Sequence, residues 1–292
     1  MCVSWSILYL DGSLTPQWPE FRGQRQKAYS ETVVGRPVHE SMEYTGRSVL
    51  PWFGAFRPDQ ISVQDCKAYI ADRKQTGIQD GTIWTQLGKL RTCLNWAEKT
   101  GLIERAPYIE RPSKPAPKER YLTREEIAQI LAVDCAPHIK LAIRLMLSTA
   151  ARVTAVLELT WDRVNFERDQ INLRTGEGQR KGRAIVPMTQ SLRAALMEAR
   201  RAALSNYVVE WAGGPVKSIK KGFKAAAVDA GLSDASPHVL RHTAAVHMAE
   251  AGIPMDEIAQ YLGHSDSRIT ASTYARYSPE HLRKAASALE FG

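Results

Sequence analysis

A proline-rich basic stretch near the middle of the chain most constrains how the protein can fold. Residues 110–120 read ERPSKPAPKER and contain three prolines and four basic side chains. Because proline fixes the backbone and cannot donate a hydrogen bond, the stretch predicts an extended linker between two folded units. A chain of 292 residues is long enough for two domains. We therefore predict an unassigned extension over 1–39, a helical domain over 40–109, a linker over 110–122 and a second domain over 123–292.

The residues before the linker have the periodicity of amphipathic helices. Helical patterns run over 41–56, 61–77 and 80–101, and Gly77 and Gly101 stand where helix C-terminal caps belong. In the third segment apolar side chains recur at steps of three and four residues, at Ile83, Leu87, Leu90, Leu94 and Ala97. The pattern predicts a small all-helical domain.

The second domain begins with a capping-box pattern, Thr123 followed by Glu126. A helix is predicted through 138–159, and two strand-like segments, 171–175 and 183–188, flank a turn-rich stretch. Further helices are predicted over 191–204, 215–231, 238–252, 254–263 and 269–289. The fold class is therefore mainly α (α+β): a helical domain followed by a mostly helical domain with a small antiparallel β-sheet.

Charge and cysteine content narrow the class of partner. Lys and Arg total 39 against 31 acidic residues, a net charge of +8, which favours a polyanion such as nucleic acid. The four cysteines lie far apart without a CxxC pair, so we expect reduced thiols rather than a disulfide framework or a zinc ribbon. The N-terminus MCVSWSILYL is a poor signal peptide and too short to span a bilayer, and we expect a cytoplasmic protein with no membrane partner.

The sequence lacks the common motifs for nucleotide and metal chemistry. There is no GxxxxGK[ST] loop, no GxGxxG after a strand and no HExxH. His238 and His242 share a helical face, but Arg241 lies between them and would repel a metal ion. We predict neither a cofactor nor a metal.

Three segments carry a specific resemblance. They are STAARVTAVLELTW, PHVLRHTAAVHMAEAG and YLGHSDSRITASTYARY, in this order. The H-x-x-R, L-G-H and Tyr elements with this spacing resemble the tyrosine recombinase (phage integrase) family. The resemblance covers about 123–288 and extends weakly to 40–107, which is similar to the family's core-binding domain. One departure is Ala150, which stands where the family often has glycine.

The resemblance implies that the protein is a site-specific DNA recombinase, or integrase. In the family a tyrosine attacks the DNA phosphorus and forms a 3′-phosphotyrosyl intermediate, without metal or ATP. On this basis Tyr274 would be the nucleophile, and Tyr277 is a rival three residues later. Arg152 and Arg241 would clamp the scissile phosphate through their forked guanidinium groups.

The same resemblance implies roles for two histidines and a lysine. His238 would be the general base toward the tyrosine proton, and His264 would donate a hydrogen bond to a non-bridging phosphate oxygen. Lys181, in EGQRKGRAIVP, would be the general acid toward the leaving 5′-oxygen. Arg180 and Arg183 are its cationic neighbours in the hairpin.

Two other functions fit part of the pattern. A non-catalytic helix-turn-helix DNA-binding regulator would explain the charge and the glycine turn over 238–277, but not the upstream arginine or the hairpin lysine. A type IB topoisomerase shares much of the catalytic set. The recombinase interpretation also implies that double-stranded DNA is the partner and that the protein forms a homotetramer on paired recombination sites.

Overall fold

The computed structural model describes residues 37–116, 119–174, 184–279, 282–287 and 289–290. They fall into two compact units, Met1–Pro117 and Lys118–Gly292. The division lies inside the predicted linker. The predicted extension lies outside the described residues up to residue 36.

The described part of the first unit has three α-helices around an apolar core. Helix α1 spans Pro37–Phe53, α2 spans Val63–Gln75 and α3 spans Asp80–Lys99. Ser62 caps α2 by accepting a hydrogen bond from the Asp65 amide. The predicted glycine caps are confirmed, because Gly77 and Gly101 have φ of +78° and +71°. The five periodic apolar residues of α3 are all buried in the core.

The residues that follow these helices pack against α3. Ile109 is buried in the core of the first unit, and the guanidinium carbon of Arg111 lies 4.5 Å from the centre of the Trp84 ring. Gly88 allows this approach, because a β-carbon there would lie 3.1 Å from Arg111 Nη1. The beginning of the predicted linker therefore lies along a helix of the first unit.

The second unit contains nine described helices and two small sheets. In chain order its elements are α4 (Arg124–Ala132), α5 (Pro137–Thr149), α6 (Val153–Leu157), β1 (Val164–Asn165), β2 (Gln170–Asn172), β3 (Ile185–Pro187), α7 (Gln190–Arg201), β4 (Glu210–Trp211), β5 (Gly214–Pro215), α8 (Lys220–Asp229), α9 (Pro237–Glu250), α10 (Met255–Leu262), α11 (Ser267–Tyr274) and α12 (Arg283–Ser287). The predicted capping box of α4 is present at Thr123 and Glu126.

The mainly α fold with small antiparallel sheets agrees with the sequence prediction. Strands β1, β2 and β3 form one antiparallel sheet in that order, and Ile171 pairs with Val186 on its buried face. Helix α5 crosses the middle of the main core, where Leu145 and Met146 are buried. None of the described helices is both long and apolar enough to cross a membrane.

A second, two-stranded ribbon was not predicted. Strands β4 and β5 pair around Ala212 and Gly213, whose φ angles are +50° and +75°. Two consecutive positive φ angles are typical of the type I′ turn that joins hairpin strands. The helix predicted over 215–231 accordingly begins only at Lys220.

Two predicted helices are wrong because the structure breaks each of them. The segment 138–159 divides into α5 and α6 at Ala150, which adopts a left-handed conformation with φ of +51°. The segment 269–289 ends its first helix at Tyr274 and continues as a 3₁₀ turn over Ala275–Tyr277, and α12 begins only at Arg283. Both breaks lie beside residues that the sequence singled out.

The left-handed conformation of Ala150 predicts an unequal response to glycine at two neighbouring positions. Ala150 and Ala151 are both buried, so Ala150→Gly and Ala151→Gly each remove one buried methyl group. Only Ala150→Gly relieves a positive φ, which costs a non-glycine residue roughly 1–2 kcal/mol. We expect Ala151→Gly to lower the free energy of unfolding by about 1 kcal/mol more than Ala150→Gly in urea titrations. Equal losses would show that the Ala150 conformation carries no strain.

Candidate active site

A buried arginine lies at the centre of the cluster. Arg241, in the second turn of α9, is only 4% exposed. Its Nη1 donates to the Ala150 carbonyl oxygen at 2.6 Å, and its Nη2 donates to the Leu262 carbonyl oxygen at 3.0 Å. Nη2 also lies 3.1 Å from Nε2 of His264. The guanidinium thereby joins the C-terminal ends of α5 and α10 to His264, two residues after α10.

The charge of Arg241 is not neutralised by an acid. Within the described part of the chain its hydrogen-bond partners are two carbonyl oxygens and an imidazole. Burial, and then the charge of Arg152, lowers the pKa of Arg241 to about 10, so it stays cationic at neutral pH. A buried charge without a counter-charge is costly, so an anion that pairs with it here would be stabilised.

The second arginine is placed by the break between α5 and α6. Arg152 is the N-cap of α6, with φ of −69° and ψ of 146°, and is partly buried. Its charge contributes to the lowered pKa values of His238, Arg241 and His264, after burial in each case. The structure therefore brings both predicted arginines to one positively charged site.

His264 is positioned by the glycine turn that ends α10. Gly263 has φ of +67°, the left-handed conformation that glycine adopts readily at a helix C-terminus, and the His264 amide donates back to the Ala259 carbonyl oxygen. The ring lies between Arg241 and Thr270, with Nδ1 at 2.8 Å from Thr270 Oγ1. Burial, followed by the charges of the two arginines, lowers the pKa of His264 to about 4, so the ring is neutral at pH 7. Because an arginine only donates, Nε2 accepts and the proton is on Nδ1.

His238 lies one turn before Arg241 in the first turn of α9. The residue is exposed, yet desolvation of its ring and the charges of Arg241 and Arg152 lower its pKa below the usual 6.5. The imidazole is therefore neutral at pH 7 and close to both cations.

Tyr274 is the last residue of α11 and is 7% exposed. Burial raises its pKa above the usual value of 10, and the nearby charge of Arg241 opposes that rise. Its hydroxyl oxygen lies 3.3 Å from Nδ1 of His242, and the two ring centres are 5.3 Å apart. The hydroxyl of the predicted nucleophile thus has a histidine as its hydrogen-bond partner.

Sequence reasoning missed His242 as a site residue. It was considered only as half of a metal-binding pair with His238. The signal was present in the spacing, since residues four apart on α9 share a face, and Arg241 and His238 lie on the same part of that helix. Only the fold shows that α11 brings Tyr274 against this residue.

The lysine and the rival tyrosine have different outcomes. Lys181 lies outside the described residues, as do its neighbours Arg180 and Arg183, because 175–183 are not described. Tyr277, the rival nucleophile, is partly buried and packs edge-on against Tyr121, with ring centres 5.6 Å apart. Among the described residues no three histidines, cysteines or acidic residues are grouped so that they could hold a metal ion.

Comparison with known proteins places this cluster in context. Residues 120–281 match the model of the phage integrase family. The tyrosine recombinase XerA of Thermococcus kodakarensis is 26% identical over 265 residues, which cover 87% of this chain and 90% of that protein. The integrase of transposon Tn1549, solved in complex with transposon right end DNA, has a TM-score of 0.75 at 18% identity and covers 91% of this chain and 97% of the solved chain. A lambda integrase tetramer bound to a Holliday junction has a TM-score of 0.67 at 16% identity and covers 86% of this chain and 76% of the solved chain.

The structural likeness establishes the fold, and the family match extends over more than half of the chain. The matched range includes all six residues that the sequence predicted for the site: Arg152, Lys181, His238, Arg241, His264 and Tyr274. It also favours a recombinase over a helix-turn-helix regulator. The chain therefore belongs to the phage integrase family of tyrosine recombinases.

Proposed function

We propose that the protein cuts and rejoins double-stranded DNA at specific sites through a 3′-phosphotyrosyl intermediate on Tyr274. The buried charge of Arg241 carries this proposal. Among the described residues it has no acidic partner, and it lies beside a second arginine, two neutral histidines and a tyrosine. A DNA phosphate is the anion that suits this site. Because its proposed substrate is DNA, we propose that the protein acts in the cytoplasm.

The two arginines are suited to hold the scissile phosphate. A guanidinium has five N–H donors, and Arg241 uses three of them on Ala150, Leu262 and His264. The two that remain, together with the fork of Arg152, can reach non-bridging oxygens. Because these donors are held before the reaction begins, they can stabilise the charge of the pentavalent transition state without reorganising.

The histidines extend the same phosphate site. A bound phosphate would compete with His264 for Arg241 and would favour the tautomer with the proton on Nε2, in which Thr270 donates to Nδ1 and Nε2 donates to the phosphate. His238, beside the two arginines, is the general base in the resemblance. Its neutral state at pH 7 is compatible either with accepting a proton or with binding an oxygen of the phosphate.

The leaving 5′-oxygen needs a proton, and we propose Lys181 as its donor. Strands β2 and β3, which flank 175–183, are paired in register from Gln170 opposite Pro187 to Asn172 opposite Ile185. A lysine in the connection between two such strands can extend toward a bound duplex, and its ammonium group can act as a general acid.

The oligomer that performs the reaction is proposed to be a homotetramer on paired sites. Exchange of strands between two duplexes requires four cuts, and each protomer of this chain has one Tyr274. The lambda integrase tetramer on a Holliday junction, which shares the fold, supports this stoichiometry.

Removing the Tyr274 hydroxyl should abolish the covalent intermediate. We expect Tyr274→Phe to bind DNA normally but to give no covalent protein–DNA band with a suicide substrate, because the attacking oxygen is absent. The matched control is Tyr277→Phe, which removes a hydroxyl from the ring that packs on Tyr121. It should keep the covalent band. A band that persists in Tyr274→Phe and disappears in Tyr277→Phe would assign the attack to Tyr277.

Replacing Lys181 should impair departure of the 5′-oxygen alone. We expect Lys181→Ala to slow single-turnover cleavage by about 10²–10⁴, the usual contribution of a general acid. A substrate with sulfur in place of the bridging 5′-oxygen should restore the rate, because a thiolate leaves without a proton. Arg180→Ala, the matched control, should cleave both substrates alike. Failure of the sulfur substrate to restore Lys181→Ala would contradict the role.

Cleavage should not depend on a divalent metal or a nucleotide. Arg152 and Arg241 supply the positive charge at the phosphate, and the phosphotyrosyl bond conserves the energy of the broken bond. We expect the same rate of adduct formation in excess chelator without ATP as in magnesium buffer. A strict requirement for magnesium in the cleavage step would contradict this proposal.

A further inference from the structure

The hydroxyl of Tyr274 is in contact with a histidine that has no role in the proposed phosphate site. Nδ1 of His242 lies 3.3 Å from the tyrosine oxygen, and the rings are tilted by 39° with centres 5.3 Å apart. His242 follows Arg241 directly in α9, and the two side chains point to different partners: Arg241 to two helix ends, His242 to the nucleophile.

We propose that His242 is the general base that accepts the proton of Tyr274 when the tyrosine attacks the DNA phosphorus. The inference rests on the proposed function of Tyr274 as nucleophile. It leaves His238 to bind the phosphate beside the two arginines.

A base is needed at this position because the Tyr274 hydroxyl is a weak acid. Burial raises its pKa above the usual value of about 10, so fewer than about one molecule in 10³ carries a tyrosinate at pH 7. General-base assistance of this kind is worth about 10²–10⁴ in rate, provided that the base reaches the proton. Among the described residues that hydrogen-bond to the Tyr274 oxygen, His242 is the one that can accept it.

The surroundings keep His242 in the form that a base requires. Burial first, and then the charges of His238 and Arg276, lower its pKa below the usual 6.5, while the Glu119 backbone and carboxylate oppose that change. The ring is therefore neutral at pH 7 and has a lone pair to offer. Its Nε2 is buried and has no hydrogen-bond partner within 3.5 Å in the described part of the chain, although the Glu119 backbone is close enough to favour the charged ring.

The groups that face the ring both favour and oppose the charge it would gain. They come from three parts of the second unit. His238 is on α9, and Glu119 lies before α4. Tyr274 ends α11, and Arg276 and Tyr277 are in the turn after it. Arg276 is already paired with Glu119, with Nη1 and Oε1 2.6 Å apart. Glu119 favours the positive charge on the ring, whereas burial, His238 and Arg276 oppose it, so the protonated ring would be short-lived.

The step is balanced in atoms and electrons. The Tyr274 O–H bond breaks and its proton passes to Nδ1 of His242, while the freed oxygen pair forms a bond to phosphorus. The bond from phosphorus to the 5′-oxygen breaks, and that oxygen takes a proton from Lys181. In the reverse step His242 returns its proton to the departing tyrosine, so rejoining depends on the same residue.

The dependence of cleavage on pH tests the proposal. Wild-type single-turnover cleavage should be level from about pH 7 to 9, because a base whose pKa is lowered below 6.5 is mainly neutral across this range. We expect His242→Asn, whose amide stands near the position of Nδ1 but is not basic, to be slower by about 10²–10⁴ at pH 7. As the pH rises, the difference in rate between His242→Asn and wild type should shrink about tenfold per pH unit. The variant depends on the rare tyrosinate, whose fraction grows tenfold per unit. His242→Phe keeps the ring packing, and its rate difference from wild type should shrink with rising pH in the same way.

Matched variants separate this role from structural effects. His247→Asn, one turn later on α9, should keep the level profile of the wild type. His238→Asn should lose rate by a factor that does not change with pH, as expected for a phosphate ligand. The proposal would be overturned if His242→Asn and wild type had equal rates at pH 7, or if the rate deficit of His242→Asn stayed constant with pH. It would also be overturned if the deficit that shrinks with rising pH appeared in His238→Asn instead.

The result is distinguishable from failure of the proposed function. A covalent band in Tyr274→Phe would refute the nucleophile itself. Loss of that band, together with a pH-independent deficit in His242→Asn, would retain the nucleophile and refute only the base.

Discussion

The burial of the Arg241 guanidinium among helix ends is the interaction on which the rest of the site depends. The carbonyl oxygens that it binds belong to Ala150 and Leu262, where α5 and α10 end. Helix C-termini carry partial negative charge and unsatisfied carbonyl groups, so they can hold a cation without cancelling its net charge. The arginine is therefore held rigidly and remains attractive to a phosphate.

The same two helix ends set the positions of the neighbouring site residues. Each helix stops at a residue with positive φ, Ala150 at +51° and Gly263 at +67°. Arg152 follows the first stop by two residues, and His264 follows the second by one. Because one guanidinium binds at both stops, segments that lie more than 100 residues apart meet around a single charge.

The concentration of positive charge has a consequence for proton transfer. Burial and the two arginines keep His264 and His238 neutral at pH 7, and burial with His238 and Arg276 does the same for His242. The histidines can then act as neutral donors or acceptors, while the arginines supply the charge. Phosphoryl transfer without a metal requires both: fixed cations at the phosphate and a titratable group at the nucleophile.

Local sequence patterns determined much of this protein. The period of apolar residues predicted α3, Gly101 predicted its end, and Thr123 with Glu126 predicted the start of α4, because each depends on interactions within a few residues. The order and spacing of the motifs predicted the six site residues by resemblance. Only the tertiary structure decided where α5 stops and that α11 ends against α9, because Ala150 has no intrinsic preference for its left-handed conformation and its carbonyl is fixed by Arg241 from 91 residues away. For the same reason His242 could not be assigned from the chain alone: its partner Tyr274 is 32 residues distant, and only packing brings their polar atoms within 3.3 Å.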